Sequence, residues 1–178
     1  MAASPVGLYR GNEGPEVAAE LVLRADGSYA YALAVGALDE ESQGRWEERD
    51  GTITLITEPK PVPPRFAPAP PATADTGTPP YLSVTLPNGR GLAGIDFVIT
   101  CADEKQIADY TQSDGWNFGE ERCAVPQWIE LREPIHDIAS ERYPIAPGAK
   151  TLHFILTPND IGHVDLTGAT VQIAGDVL

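Results

Sequence analysis

The chain has 178 residues and a formal charge of −14, from 26 acidic against 12 basic side chains. Neutralising phosphates takes Lys and Arg, so this balance argues against a nucleic-acid partner and against an anionic membrane surface. A hydrophobic content of 42% is that of a globular protein, the length allows one domain or two small ones, and no apolar run is long enough to span a bilayer.

Gly7-Leu8-Tyr9 reads as a short first strand before the turn-rich Gly11–Pro15. Val17, Ala19, Leu21 and Leu23 then take every second place, which predicts a strand over Glu16–Arg24. A helix over Pro15–Leu23 is the rival, because Pro suits a first helical turn and Ala and Glu favour helices. After the turn Ala25-Asp26-Gly27-Ser28, Tyr29, Tyr31, Leu33 and Val35 alternate with alanines. A period of two puts the four large side chains on one face and the methyls on the other. Gly36–Ser42 reads as a charged connection, Gln43–Glu48 as a short strand carrying Trp46, and Thr52–Thr57 as the strand that closes the meander.

From Glu58 to Pro80 nine prolines populate the chain. Proline has no backbone donor and a fixed φ, so an extended surface connector between two lobes is expected, ahead of a ligand for an aromatic groove. Strand signals resume at Tyr81–Leu86, Ile95–Cys101, Gln106–Thr111, Gln127–Arg132, Leu152–Leu156 and Thr170–Ala174. Glu133–Ala149 carries three prolines and allows at most one helical turn, near His136–Glu141. Short strands divided by Gly, Pro, Asn and Asp predict an all-β protein. The expected plan is an antiparallel meander or barrel-like lobe over 1–58, a Pro-rich connector over 59–80, and a β-sandwich lobe over 81–178.

Cys101 and Cys123 leave two readings open, a disulfide closing the intervening loop or two separate buried thiols. The even cysteine count, the scarcity of lysine and the small, loose start Ala2-Ala3-Ser4-Pro5 lean towards a mature exported chain. The absence of a basic, apolar leader equally suits a cytoplasmic one.

Two family resemblances follow from particular residues. Gly7-x-Tyr9, Leu21-x-Leu23-x-x-Asp26-Gly27-x-Tyr29, Gly44-x-Trp46 and Ile53-x-Leu55 resemble small lipocalin-like barrel modules of bacterial envelope proteins, over about the first third of the chain. There are too few strands here for a complete eight-stranded barrel. Leu82–Leu86 followed by Asn88-Gly89-Arg90-Gly91-Leu92-Ala93-Gly94-Ile95-x-Phe97 resembles the opening hairpin of transthyretin-like or carboxypeptidase-regulatory sandwiches. Neither resemblance implies a catalytic residue or a cofactor.

Chemical motifs are sparse. Gly89–Gly94 spells GxGxxG, but a strand follows where a dinucleotide site needs a helix, so these read as hairpin glycines. No Gly-x-Ser-x-Gly elbow occurs, and Asp103, Asp109 and Asp114 do not form a calcium loop. His136, His153 and His163 lack the local spacing of metal ligands and read as separate surface side chains. The aromatic stretch Asp114-Gly115-Trp116-Asn117-Phe118-Gly119, with Trp128 beyond it, is the strongest candidate site. An exposed indole stacks on a ligand while neighbouring amide and carboxylate groups orient it. The competing reading has Trp116 or Phe118 plugging the core at a sheet edge. Together these features point to a non-enzymatic, exported binding or structural module with a protein, peptide or carbohydrate partner, using Trp116, Asn117 and Trp128. The alternative is a hydrolase or metal-dependent enzyme using acidic residues and His136.

Overall fold

The structure is a computed structural model and describes residues 4–11, 14, 16–70, 81–118 and 123–172. Among them the fold is all-β, without a helix. In chain order the strands are β1 (Gly7–Gly11), β2 (Val17–Leu23), β3 (Ser28–Val35), β4 (Leu38–Arg49), β5 (Thr52–Thr57), β6 (Arg65–Pro68), β7 (Leu82–Thr85), β8 (Asp96–Cys101), β9 (Gln106–Tyr110), β10 (Pro126–Glu133), β11 (Ile138–Ala139), β12 (Tyr143–Pro144), β13 (Leu152–Thr157) and β14 (Thr170–Gln172). They fall into two units, one formed by 1–62 with 160–178 and the other by 63–159.

The first unit is a six-stranded sheet, β1-β2-β3-β4-β5-β14, curled into a half-barrel. Leu23, Tyr29, Ile53 and Leu55 are buried on one face, with Tyr9, Leu21, Tyr31, Trp46, Leu166 and Val171 packed around them. The Tyr29 phenol lies 2.9 Å from Ser42 Oγ and 2.8 Å from Thr57 Oγ1, so a buried polar group keeps its hydrogen bonds. The helix alternative for Pro15–Leu23 gives way to β2, which pairs with β3 from Val17↔Val35 to Leu23↔Tyr29.

Two expectations change here. The acidic stretch 39–42 is no connection, since it lies inside the twelve-residue β4, reached from β3 by the two-residue turn Gly36-Ala37. Charge does not stop a strand whose second face is open to water, and Asp39, Glu41 and Gln43 are all exposed. Near its middle β4 passes from β3 to β5, and Gly44 makes the passage. A Cβ there would overlap the Ile56 carbonyl oxygen and lie 2.7 Å from Glu58 N. The last strand also changes place: β14 joins β5, with Thr170↔Thr54 and Val171↔Ile53, rather than the sheets of the second unit.

The second unit holds a five-stranded sheet, β11-β10-β8-β9 with β12 also on β10, and a three-stranded sheet, β6-β13-β7. Phe97, Ile99, Ile129 and Leu131 of the larger sheet are buried, as are Phe66, Leu82, Val84, Phe154 and Leu156 of the smaller. These two apolar rows make the core of a small sandwich. Tyr143 ties the sheets, its ring 5.2 Å from that of Phe154 and its hydroxyl donating to the Phe66 carbonyl. Part of the Pro-rich segment is therefore sheet. Arg65–Pro68 is an edge strand antiparallel to β13, a sheet position where proline costs little. Residues 71–80 lie outside the described residues. No helical turn forms near 136–141, where β10 folds back onto Ile138–Ala139.

Candidate binding face

The alternation of β8 creates two unlike surfaces. Phe97, Ile99 and Cys101 point into the core, while Asp96, Val98 and Thr100 face out. Cross-strand register extends the outward set. Thr100 stands between Gln106 and Trp128, Val98 between Ala108 and Glu130, and Asp96 between Tyr110 and Arg132. The result is an open hollow of about 650 Å³ over β9, β8 and β10, whose lining includes Asp96, Val98, Gln106, Ala108, Tyr110, Glu130 and Arg132. Tyr110 is 53% exposed and Trp128 36%. Arg142 lays its guanidinium 5.1 Å from the centre of the Trp128 ring and reaches within 4.0 Å of Glu130. Arg132 is tied to Asp137 at 2.6 Å. Both cations of the face thus have partners on the protein's own surface, while the carboxylate of Asp96 and the amide of Gln106 are directed to solvent.

The sequence grouped Trp116, Asn117 and Trp128, and the fold separates them. Trp116 belongs to an aromatic cluster at the end of the sandwich, its ring centre 4.9 Å from Phe97, 4.8 Å from Phe118 and 6.3 Å from Tyr81. Its indole N–H donates to Asp109 Oδ2 at 2.7 Å, and its backbone exchanges two hydrogen bonds with Leu82. Asn117 accepts the Tyr81 amide at 2.9 Å. These two residues hold the start of β7 in place. Burial in this cluster raises the Tyr81 phenol above its usual range. Trp128 lies on the outward face. Tyr110, a corner of that face, was passed over in the sequence, where the signal was its place in the outward parity of Gln106, Ala108 and Tyr110.

Cys101 and Cys123 are joined by a disulfide with Cα atoms 5.8 Å apart, and the loop between them contains β9. The three histidines have three separate partners. His136 Nδ1 and N both meet Glu133 Oε2, at 3.1 and 2.8 Å, and the same carboxylate accepts the Ile135 amide through Oε1, so the pair shapes a turn. His153 Nε2 is 2.9 Å from Thr85 Oγ1, and His163 Nε2 is 3.1 Å from Glu41 Oε1. No group of three potential metal ligands gathers among the described residues. The GxGxxG run makes a tight turn in which Leu92 donates to Val84 and Leu86 to Arg90. Gly91 is required there, because a Cβ would overlap the Ser113 carbonyl.

A second hollow lies on the open face of the first unit. Ala18, Ala32 and Ala34 form its floor, Glu20, Asp39 and Glu41 its rim, and Ile161 and Gly162 one wall, enclosing about 490 Å³. It has no aromatic platform, and its like charges repel one another. None of the described residues forms a helix long and apolar enough to cross a membrane. No family model, no curated protein and no solved structure matches the chain.

Proposed function

We propose that this protein is a non-enzymatic binding module of an oxidising, extracytoplasmic compartment, and that its ligand is held on the outward face of the five-stranded sheet. One observation carries the reading: two exposed aromatic rings stand on one sheet face, Tyr110 lining the hollow and Trp128 beyond its edge, two residues before Glu130, with Val98 and Ala108 between them and Asp96, Gln106, Glu130 and Arg132 around. Stacking supplies apolar area at small conformational cost, and fixed polar groups orient what is stacked. The face lies on three paired strands, so it is formed before a ligand arrives. The Cys101–Cys123 disulfide supports the compartment, since thiols are kept reduced in most cytosols. The lipocalin-like resemblance of the first third supports a place at the bacterial envelope.

A thermal-shift screen with separate peptide and oligosaccharide libraries tests the reading. A ligand specific to the folded state raises its apparent stability by RT ln(1 + [L]/Kd), about 2.7 kcal/mol at a hundredfold excess over Kd. Hits are expected with the wild-type protein and not with Y110A/W128A. Hits that persist in that variant, or no hit in either library, overturn the reading.

A further inference from the structure

Taking the outward face as a binding surface, we infer that its ligand is an uncharged oligosaccharide laid diagonally from Trp128 to Tyr110. The geometry gives the length. Trp128 is level with Thr100 and Gln106, whereas Tyr110 is level with Asp96 and Arg132. Four residues along a strand and two strands across separate the rings by about 16 Å. One sugar ring cannot touch both aromatics; a short chain of rings can. Val98 and Ala108 keep the floor between the corners low, so a flat ligand can lie along the whole diagonal.

The charges give the class. A polyanion is repelled by a net charge of −14. Arg132 and Arg142, the cations that would bind it, are engaged by Asp137 and by Trp128 with Glu130. What the face offers instead is Asp96 and Gln106, a carboxylate and an amide that accept hydrogen bonds from hydroxyls. A peptide crossing the same face would bury backbone N–H and C=O groups along its length, and the few side chains here satisfy only some of them. A sugar has hydroxyls at its edges and C–H groups on its ring faces, which suits polar side chains and stacked aromatics together.

Isothermal titration with β-1,4-linked glucose and N-acetylglucosamine oligomers and α-1,4-linked glucose oligomers, each as di-, tetra- and hexasaccharide, tests the inference. At least one series is expected to bind with affinity rising from di- to hexasaccharide by about tenfold or more, because only the longer chains reach both corners. Y110A and W128A should each weaken the hexasaccharide about tenfold while keeping the wild-type circular dichroism. In the NMR spectrum the indole N–H of Trp128 should shift on binding. Those of Trp46 and Trp116, bonded to the Arg24 carbonyl and Asp109, should not. Length-independent affinity, or a shift confined to Trp116, overturns the inference. Binding of peptides alone, lost in Y110A/W128A, overturns it too but leaves the binding-face reading standing. Failure of both classes removes both.

Discussion

The phenols of Tyr29 and Tyr81 show how one chemical group is worth different amounts in two settings. Tyr29 lies in a hydroxyl triad with Ser42 and Thr57, and Thr57 Oγ1 also accepts the Leu166 amide at 2.8 Å. Removing the Tyr29 oxygen leaves buried hydroxyls short of a partner. The Tyr81 oxygen is buried with no hydrogen-bond partner among the described residues. A desolvated, unpaired hydroxyl opposes folding, so its removal relieves a cost. Tyr29→Phe should therefore destabilise by about 1–2 kcal/mol, and Tyr81→Phe should be neutral or stabilise by up to about 1 kcal/mol. Urea unfolding of both variants checks this, and equal destabilisation of the two would contradict it. Sequence could not have separated these tyrosines. In the sequence each heads a run of alternating residues, and only the fold reveals which one ends among hydroxyls.

At the scale of elements, the segment 160–169 stands out because it fastens the first unit without being a strand. Its backbone bridges β4 at Glu41 through Gly162 O and Val164 N, and it meets β5 at Leu55 through Gly168 N and Ala169 O. Asp165 shapes its turn. Hydrogen bonds from Thr167, aided by the Lys60 ammonium 3.4 Å away, bring its carboxyl down to about 2. The folded pKa is depressed below the unfolded value of about 3.9. The stabilisation is thus complete above that value and lost as pH falls through about 2. Asp165→Asn should lower the melting temperature at pH 7, and the gap from wild type should narrow below pH 4 and close near pH 2. Melting curves across that range check it; a gap independent of pH would show that the carboxylate charge plays no part. The local elements were legible in the sequence because alternation is local: β3, β5 and β8 lie within a residue or so of where Tyr29–Val35, Thr52–Thr57 and Ile95–Cys101 placed them. Strand partners were not legible. Nothing in Thr170-Val171 says that its neighbour is Thr54-Ile53, more than a hundred residues earlier, or that Gln106, Ala108 and Tyr110 share a face with Trp128. The two tryptophans could not be told apart in the sequence for the same reason. Trp116 and Trp128 are close in sequence, but Trp116 packs on inward Phe97 while Trp128 faces outward beside Thr100.

For the whole molecule, the chain leaves the first unit after Val62 and returns at Asp160. These two points are adjacent. Val62 N donates to Asp160 Oδ2 at 2.7 Å, and Asp160 N donates to the Val62 carbonyl at 3.1 Å. The ends of the second unit are equally close, with Asn159 Nδ2 donating to the Pro63 carbonyl at 2.8 Å. A unit whose ends meet is one that another fold accepts as an insertion in a surface loop. On this reading residues 63–159 fold alone, carrying β6–β13 and both cysteines. Residues 1–62 joined to 160–178 by a short Gly-Ser turn of about two to five residues fold as well, since β14 still finds β5. A division at the Pro-rich segment predicts otherwise. The fragment 81–178 would lack β6, leaving one side of β13 without its strand, and would carry β14 away from its partner. The test is to express 63–159, 81–178 and the joined 1–62/160–178 chain and follow the far-ultraviolet dichroism of each on heating. Cooperative unfolding is expected from the first and third, with the second melting at lower temperature or lacking a transition. Fragment 63–159 should also form its disulfide under air, read as the loss of two thiols. If 81–178 unfolds cooperatively while 63–159 has no transition, the insertion architecture is wrong and the prolines mark the true boundary.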